Sequence, residues 1–204
     1  MENVDIWKNN IAELCGTLAQ APKLSHISRD EKYYVFPLEI GRLSGTIDRV
    51  NITASEQLLR ECVLDASPHI RVLGELRSFN NKSGVGSKLV LSVYARSLTP
   101  TDEEAHNRLF LSGILCKAPN LRRTPLGRDI CDLMLAVNRR YGRSDYLPCI
   151  AWGRNAQTAA QLKVGDPLTL NGRLQSRTYV KVENGESVEK TAFEVSIIDF
   201  AEQQ

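Results

Sequence analysis

Residues Asn10–Leu24 read NIAELCGTLAQAPKL, and residues Asn107–Leu121 read NRLFLSGILCKAPNL. At an offset of 97, Asn10, Leu14, Gly16, Leu18, Ala21, Pro22 and Leu24 fall on Asn107, Leu111, Gly113, Leu115, Ala118, Pro119 and Leu121. The match continues outward. Phe36, Leu38, Ile40 and Arg42 fall on Leu133, Leu135, Val137 and Arg139, and Val50, Ile52 and Ala54 fall on Leu147, Cys149 and Ala151. After one extra residue in the second half, Ile70, Val72, Gly74 and Leu76 fall on Leu168, Leu170, Gly172 and Leu174. Identity is modest but the apolar spacing persists, so the chain reads as one unit built twice. The expected domains are 1–97 and 107–204, joined by a polar linker over 98–106 that carries Pro100 and three acids.

The spacing within each half is two residues, the mark of half-buried antiparallel strands. In the second half Leu133, Leu135 and Val137 alternate, as do Leu147, Cys149 and Ala151, then Phe193, Val195 and Ile197. A short helix is predicted between the third and fourth strands, over Asn155–Gly165 with Gly165 as its stop, and in the first half over Ser55–Val63. Hairpin turns are predicted at Glu183–Glu186 and at the tip Asn80–Ser87. Gly16 and Gly113 interrupt first strands where a small barrel must bend. Three strands, a helix and two strands in each half predict an all-β chain with short helices, two tandem OB-fold domains, each a five-stranded Greek-key barrel.

Length and composition set the outer bounds. The chain has 204 residues, 42% hydrophobic and 25% charged, which excludes wholesale disorder. No apolar run is long enough for a membrane helix, and the N-terminus MENVDIWKNN lacks a signal pattern. A bacterial-type cytoplasm or an equivalent reducing compartment is the expected location. Cys15, Cys62, Cys116, Cys131 and Cys149 are odd in number and form no C-x-x-C, so they read as small buried residues rather than disulfides or zinc ligands. His26, His69 and His106 are expected in turns or the linker, with no nucleophile beside them. Asp129 and Asp132 read as solvated carboxylates rather than a metal site. No phosphate-cradling glycine motif is present, and neither catalysis nor a cofactor is expected.

The net charge of +2 is unevenly spread: residues 1–105 carry 12 basic and 14 acidic side chains, 106–181 carry 13 and four, and 182–204 carry one and six. A region at +9 is a candidate polyanion footprint or a solvated basic face. Its aromatics discriminate. If Leu147, Cys149 and Ala151 point inward, Tyr146 and Trp152 share the outer face, and by the same test Arg173, Arg177 and Tyr179 point outward. The end of the second strand adds Arg139, Arg140 and Tyr141. Any one outward ring is ordinarily a surface or interface residue. Four of them interleaved with arginine suit stacked bases and bound phosphates. The first half places Ser44, Arg49, Ser55 and Asn81 at the equivalent positions, with Phe79 as its only nearby ring. It is expected to be a degenerate barrel lacking the aromatic platform.

The second half resembles the bacterial single-stranded DNA-binding protein family. The resemblance rests on Asn107–Arg128, Leu133–Gly142, Asp145–Arg154 and Val164–Val180 taken together. It implies Tyr141, Tyr146, Trp152 and Tyr179 as base-stacking residues; Arg122, Arg123, Arg139, Arg140, Arg173 and Arg177 of the basic region are the expected phosphate contacts. It also implies roles in DNA replication, repair or recombination, and a homodimer supplying four barrels. Family members usually end in an acidic recruitment tail, whereas this chain reads Asp199-Phe-Ala-Glu-Gln-Gln204 straight after its last strand, so recruitment of replication or repair proteins by such a tail is not expected. Two other readings remain open: a primosome-type accessory protein whose barrels contact proteins, and an RNA-binding barrel protein.

Overall fold

The computed structural model describes residues 8–62, 68–81, 89–140, 142–183 and 186–201. The chain divides into two compact units, Met1–Arg77 with Ser92–Leu111, and Ser78–Leu91 with Ser112–Gln204.

The first half runs β1 (Asn10–Leu18), β2 (Lys23–Ser28), β3 (Glu31–Gly41), β4 (Ile47–Ser55), α1 (Glu56–Glu61), β5 (His69–Asn80) and β6 (Leu89–Pro100). Strand β1 pairs with β5 from Ala12 opposite Gly74 to Thr17 opposite His69, then turns onto β3 with Leu18 opposite Leu38. Strands β3 and β4 are antiparallel, β4 and β6 are parallel through Ile52 and Val93, and β6 lies beside β5. The ring β1-β3-β4-β6-β5 is therefore closed. Its single parallel contact comes from the helical crossover between β4 and β5. Ser55 caps that helix, its Oγ accepting from the Leu58 amide at 3.3 Å.

The second half repeats the order: β7 (His106–Leu115), β8 (Asn120–Arg123), β9 (Asp129–Asn138), β10 (Ser144–Trp152), α2 (Arg154–Ala159), β11 (Pro167–Glu183) and β12 (Glu186–Phe200). The opening residues of β7 belong to the first unit, where Asn10 faces Leu111 and Cys15 faces His106. Past Ser112 the strand closes the second barrel, with Leu115 opposite Leu135, β9 against β10, and β10 parallel to β12 at Cys149 and Val195. Both halves are OB-fold barrels. At Gly113 an added Cβ would collide with the Ala136 carbonyl oxygen, and at Gly16 with that of Glu39. Glycine is what lets one strand serve two partners.

The alternating residues form the cores. Leu14, Phe36, Leu38, Ile52, Ile70 and Leu76 are buried in the first half, and Leu115, Leu135, Leu147, Leu170, Leu174 and Val195 in the second. Each such side chain contributes roughly 1.5–3 kcal/mol. Cys15, Cys62, Cys131 and Cys149 are buried as expected, and all five cysteines are free.

Three expectations need correction, beside one further strand in each half: outside the expected five-stranded barrels lie β2 and β8, edge strands exposed along their whole length. With neither face buried they carry no alternation to read. The second helix ends at Ala159, well before Gly165, whose φ of +98° instead serves the turn into β11. The linker is shorter than expected, 101–105, since β6 runs through Pro100 and β7 starts at His106. The histidines likewise sit in strands, His26 in β2, His69 opening β5 and His106 opening β7. No helix among the described residues is long and apolar enough to cross a membrane.

Candidate nucleic-acid interface

The period of two sorts β10 into faces. Leu147, Cys149 and Ala151 line the core, while Tyr146 and Trp152 lie outward at 53% and 40% exposure. Pro148 is half-buried and Ile150 buried between them. Six residues of strand set the two rings about 20 Å apart, so they form separate stations along one face. On β9 the residues opposite Tyr146, Pro148, Ile150 and Trp152 are Ala136, Met134, Asp132 and Ile130. The repeat differs at the position of Trp152. Its equivalent Ser55 is occupied in capping α1, whereas α2 starts from Gly153 at φ +56° with no side-chain cap.

The arginines divide. Arg122 grips Asp132 with Nε at 2.6 Å and Nη2 at 3.0 Å, and the hydrogen bond to Asp132 raises its pKa. Arg123 donates to Asp129 at 3.0 Å yet keeps a well-exposed side chain. The two aspartates are thus ion-paired rather than simply solvated. Arg140 is exposed after β9, and Arg173 is half-buried on β11 opposite Ser196. Arg139 lies inside. Its Nε meets Asp145 Oδ2 at 2.6 Å, its Nη2 bonds Asp145 Oδ1 and reaches the Ser78 carbonyl at 3.1 Å, and Asp145 is fully buried. The first half builds the same clasp, Arg42 Nε to Asp48 Oδ2 at 2.6 Å, with Asp48 buried. Gly45 and Gly142 have φ of +80° and +73° at equivalent points of the two connecting loops. A pair present in both barrels holds the barrel corner, so Arg139 serves the fold rather than presenting itself to a phosphate.

Tyr141 lies outside the described residues, as do the side chains of Arg177 and Tyr179. The backbone sets Arg177 opposite Ala192 and Tyr179 opposite Lys190 on the β11–β12 hairpin, whose register brings Glu183 opposite Glu186. The sequence reading missed Asp145 and its partner Ser78, whose amide donates to Asp145 Oδ1 at 2.6 Å. The match of Asp48 to Asp145 beside that of Arg42 to Arg139 was the available signal. It also missed Gln175 donating to the buried Glu194 at 3.0 Å on the outer face.

The first half is not poor in rings, as position-by-position comparison implied. His26 stacks on Tyr33 with centroids 5.0 Å apart, Tyr33 meets Tyr94 at 5.7 Å, and the Arg77 guanidinium lies 4.0 Å from the Tyr94 centroid. The Tyr94 hydroxyl donates to that of Tyr33 at 3.1 Å; burial and this contact push the Tyr33 phenol up. Glu75 binds Arg77 at 3.0 Å and Arg96 at 2.9 Å. The rings occupy different positions from those of the second half and pack against one another. His69 also stands 3.3 Å from Cys15, an unanticipated neighbour of a thiol. Burial pushes that thiol upward, the opposite of activation. Among the described residues no cluster of His, Cys, Asp and Glu could hold a metal ion.

Residues 106–201 match the model of the Single-strand binding protein family. The match covers 96 of the 204 residues. Single-stranded DNA-binding protein A of Bacillus subtilis (strain 168) is 36% identical over 103 residues, covering 47% of this chain and 59% of the relative. Single-stranded DNA-binding protein 2 of Listeria innocua is 39% identical over 80 residues, covering 36% of this chain and 50% of the relative. The chain thus spans about half of the curated relatives it matches. The wild-type single-stranded DNA binding protein from Thermus aquaticus superimposes with a TM-score of 0.74 at 24% identity, covering 96% of this chain and 93% of that one. This likeness is one of fold, and it extends to the first half, which the family match does not reach.

Proposed function

We propose that the chain binds single-stranded DNA with little regard to sequence, by stacking bases on outward rings and drawing phosphates to the basic region. The observation that carries this reading is the placement of Tyr146 and Trp152, both exposed on the outer face of β10 in the most basic stretch of the chain. Exposed rings of this size are costly unless a ligand covers them, and each stacked base is worth about 1–3 kcal/mol. Tyr141 and Tyr179 complete the proposed platform. Arg123, Arg140, Arg173 and Arg177 are its proposed cations. The relatives' names support the same ligand. The activity is binding, with no bond made or broken. Coating strands exposed in replication, repair or recombination, at the bacterial nucleoid, follows as the proposed role. A homodimer would bring four barrels to one strand.

The test is a titration with a thymine homopolymer of about 35 nucleotides, a length suited to several barrel sites, followed by tryptophan fluorescence. Strong quenching in the unaltered chain and its loss in Trp152→Phe support the reading. Affinity should fall with salt at a log–log slope of about 0.7 per phosphate neutralised. Unchanged emission with weak binding overturns it, and equal or tighter binding of the matching RNA reassigns the ligand.

A further inference from the structure

The compact unit holding the candidate interface includes a piece of the first half, residues Ser78–Leu91. Its anchor is specific. Asp145 Oδ1 accepts from the Ser78 amide at 2.6 Å and from the Ser78 hydroxyl at 3.2 Å. That hydroxyl oxygen accepts in turn from the Tyr146 amide at 2.9 Å, and the Ser78 carbonyl accepts from Arg139. Every polar group of Ser78 is therefore tied to the corner where β10 begins. The equivalent carboxylate in the first barrel, Asp48, is bonded among the described residues by Arg42 alone. The docking of Ser78 is an addition to the clasp, absent from its twin.

This anchor delivers Phe79. The ring is 40% exposed, and the Arg139 guanidinium lies 5.7 Å from its centroid. It emerges one residue from Ser78, while Tyr146 emerges one residue from Asp145, so the two exposed rings flank one hydrogen-bonded corner. A phenylalanine fixed one residue from these charge-assisted bonds and still left open to water bears a solvation cost that packing does not explain. Its repeat equivalent is Arg177, two residues before Tyr179, so no comparison of equivalent positions would select it. We propose that Phe79 is a further base-stacking residue of the second unit, supplied by the end of β5 and positioned by Ser78 and Asp145. The first half thereby contributes directly to the site. An unpaired nucleobase stacks on a flat apolar ring with no hydrogen-bond requirement, which suits a sequence-tolerant surface.

This inference rests on the proposed DNA binding, and its test separates the two. In the full chain Phe79→Ala should weaken binding of the thymine homopolymer about five- to hundredfold. Phe79→Leu, which keeps apolar bulk without a flat ring, should weaken it comparably. Independently, Phe79→Trp combined with Trp7→Phe and Trp152→Phe leaves a single tryptophan, whose emission should be quenched by the same DNA. If the unaltered chain binds while both Phe79 variants bind as tightly and the tryptophan at position 79 gives unchanged emission, the inference fails and the DNA-binding reading stands. If the unaltered chain does not bind, both fall.

Discussion

Replacing Arg139 by methionine separates a residue that builds the barrel from one that holds DNA. The substitution keeps most of the aliphatic stem and removes the guanidinium, leaving the buried carboxylate of Asp145 without its cation. Breaking a buried ion pair by deleting one partner costs about 3–5 kcal/mol. Asp145 retains two donors from Ser78, so Arg139→Met belongs near the lower end of that range. Arg42→Met supplies the internal comparison: Asp48 is equally buried but is stripped of its sole described partner, so this variant belongs near the upper end. Both costs lie within the roughly 5–15 kcal/mol stability of an ordinary fold. Urea unfolding at neutral pH reads these effects as shifted midpoints. The salt dependence of homopolymer binding reads the other role, because removing one cation from a phosphate should lower the log–log slope by about 0.7. The expected result is an earlier unfolding midpoint with an unchanged slope. A slope reduced by that amount, with the midpoint unmoved, would refute the structural assignment and return Arg139 to the binding face.

Other outcomes follow from single contacts. Tyr146→Ala should weaken homopolymer binding by about 1–3 kcal/mol while leaving the urea midpoint close to that of the unaltered chain. Gly113→Ala should destabilise by about 1–3 kcal/mol, because the new Cβ meets the Ala136 carbonyl; thermal unfolding measures it. Burial pushes the thiols of Cys15, Cys62, Cys131 and Cys149 upward, whereas Cys116 is half-buried. A thiol reagent at mildly alkaline pH should modify one cysteine quickly and the other four only in denaturant. The hydrogen bonds of Arg123 and Gln157 hold the Asp129 carboxyl below its usual range, so its stabilising contribution is present above the ordinary aspartate pKa and is lost as pH falls through the depressed value. In Arg123→Gln the Asp129 carboxyl should titrate at higher pH by NMR.

What the sequence disclosed follows from which residues are buried on one side only. Leu133, Leu135 and Val137 alternate because β9 has a wet face and a dry one, and this suffices to locate it. Strands β2 and β8 have two wet faces, so the spacing of Lys23–Ser28 and Asn120–Arg123 carries no such signature, although backbone pairing with β3 and β9 makes them strands. Tyr146 and Trp152 were legible for the same reason as β9, as the outward residues of a strand with a strongly apolar inner set. Arg139 was misread because charge alone does not reveal a partner. Asp145 lies six positions on, across a loop whose closure only the fold supplies.

The duplication turns this difficulty into a criterion. A side chain present at equivalent positions in two barrels that differ elsewhere is retained by the one thing they share, the barrel itself. Arg42 with Asp48, Arg139 with Asp145, and Gly16 with Gly113 meet that description, and each has a structural duty. Tyr146 and Trp152 do not meet it, since their counterparts are Arg49, paired to Glu39 at 2.7 Å, and Ser55, capping a helix. The criterion fails where one copy places its rings at new positions, as with Tyr33 and Tyr94, or takes one from its twin's sequence, as proposed for Phe79. In the first case occupancy decides. Tyr33 and Tyr94 face His26, Arg77 and each other, so a base would have to displace contacts already made. Phe79 has one guanidinium beside it and substantial open surface. The same unit of aromatic area therefore serves cohesion in the first barrel and availability in the second, and binding should follow the rings that remain uncovered rather than the number each half contains.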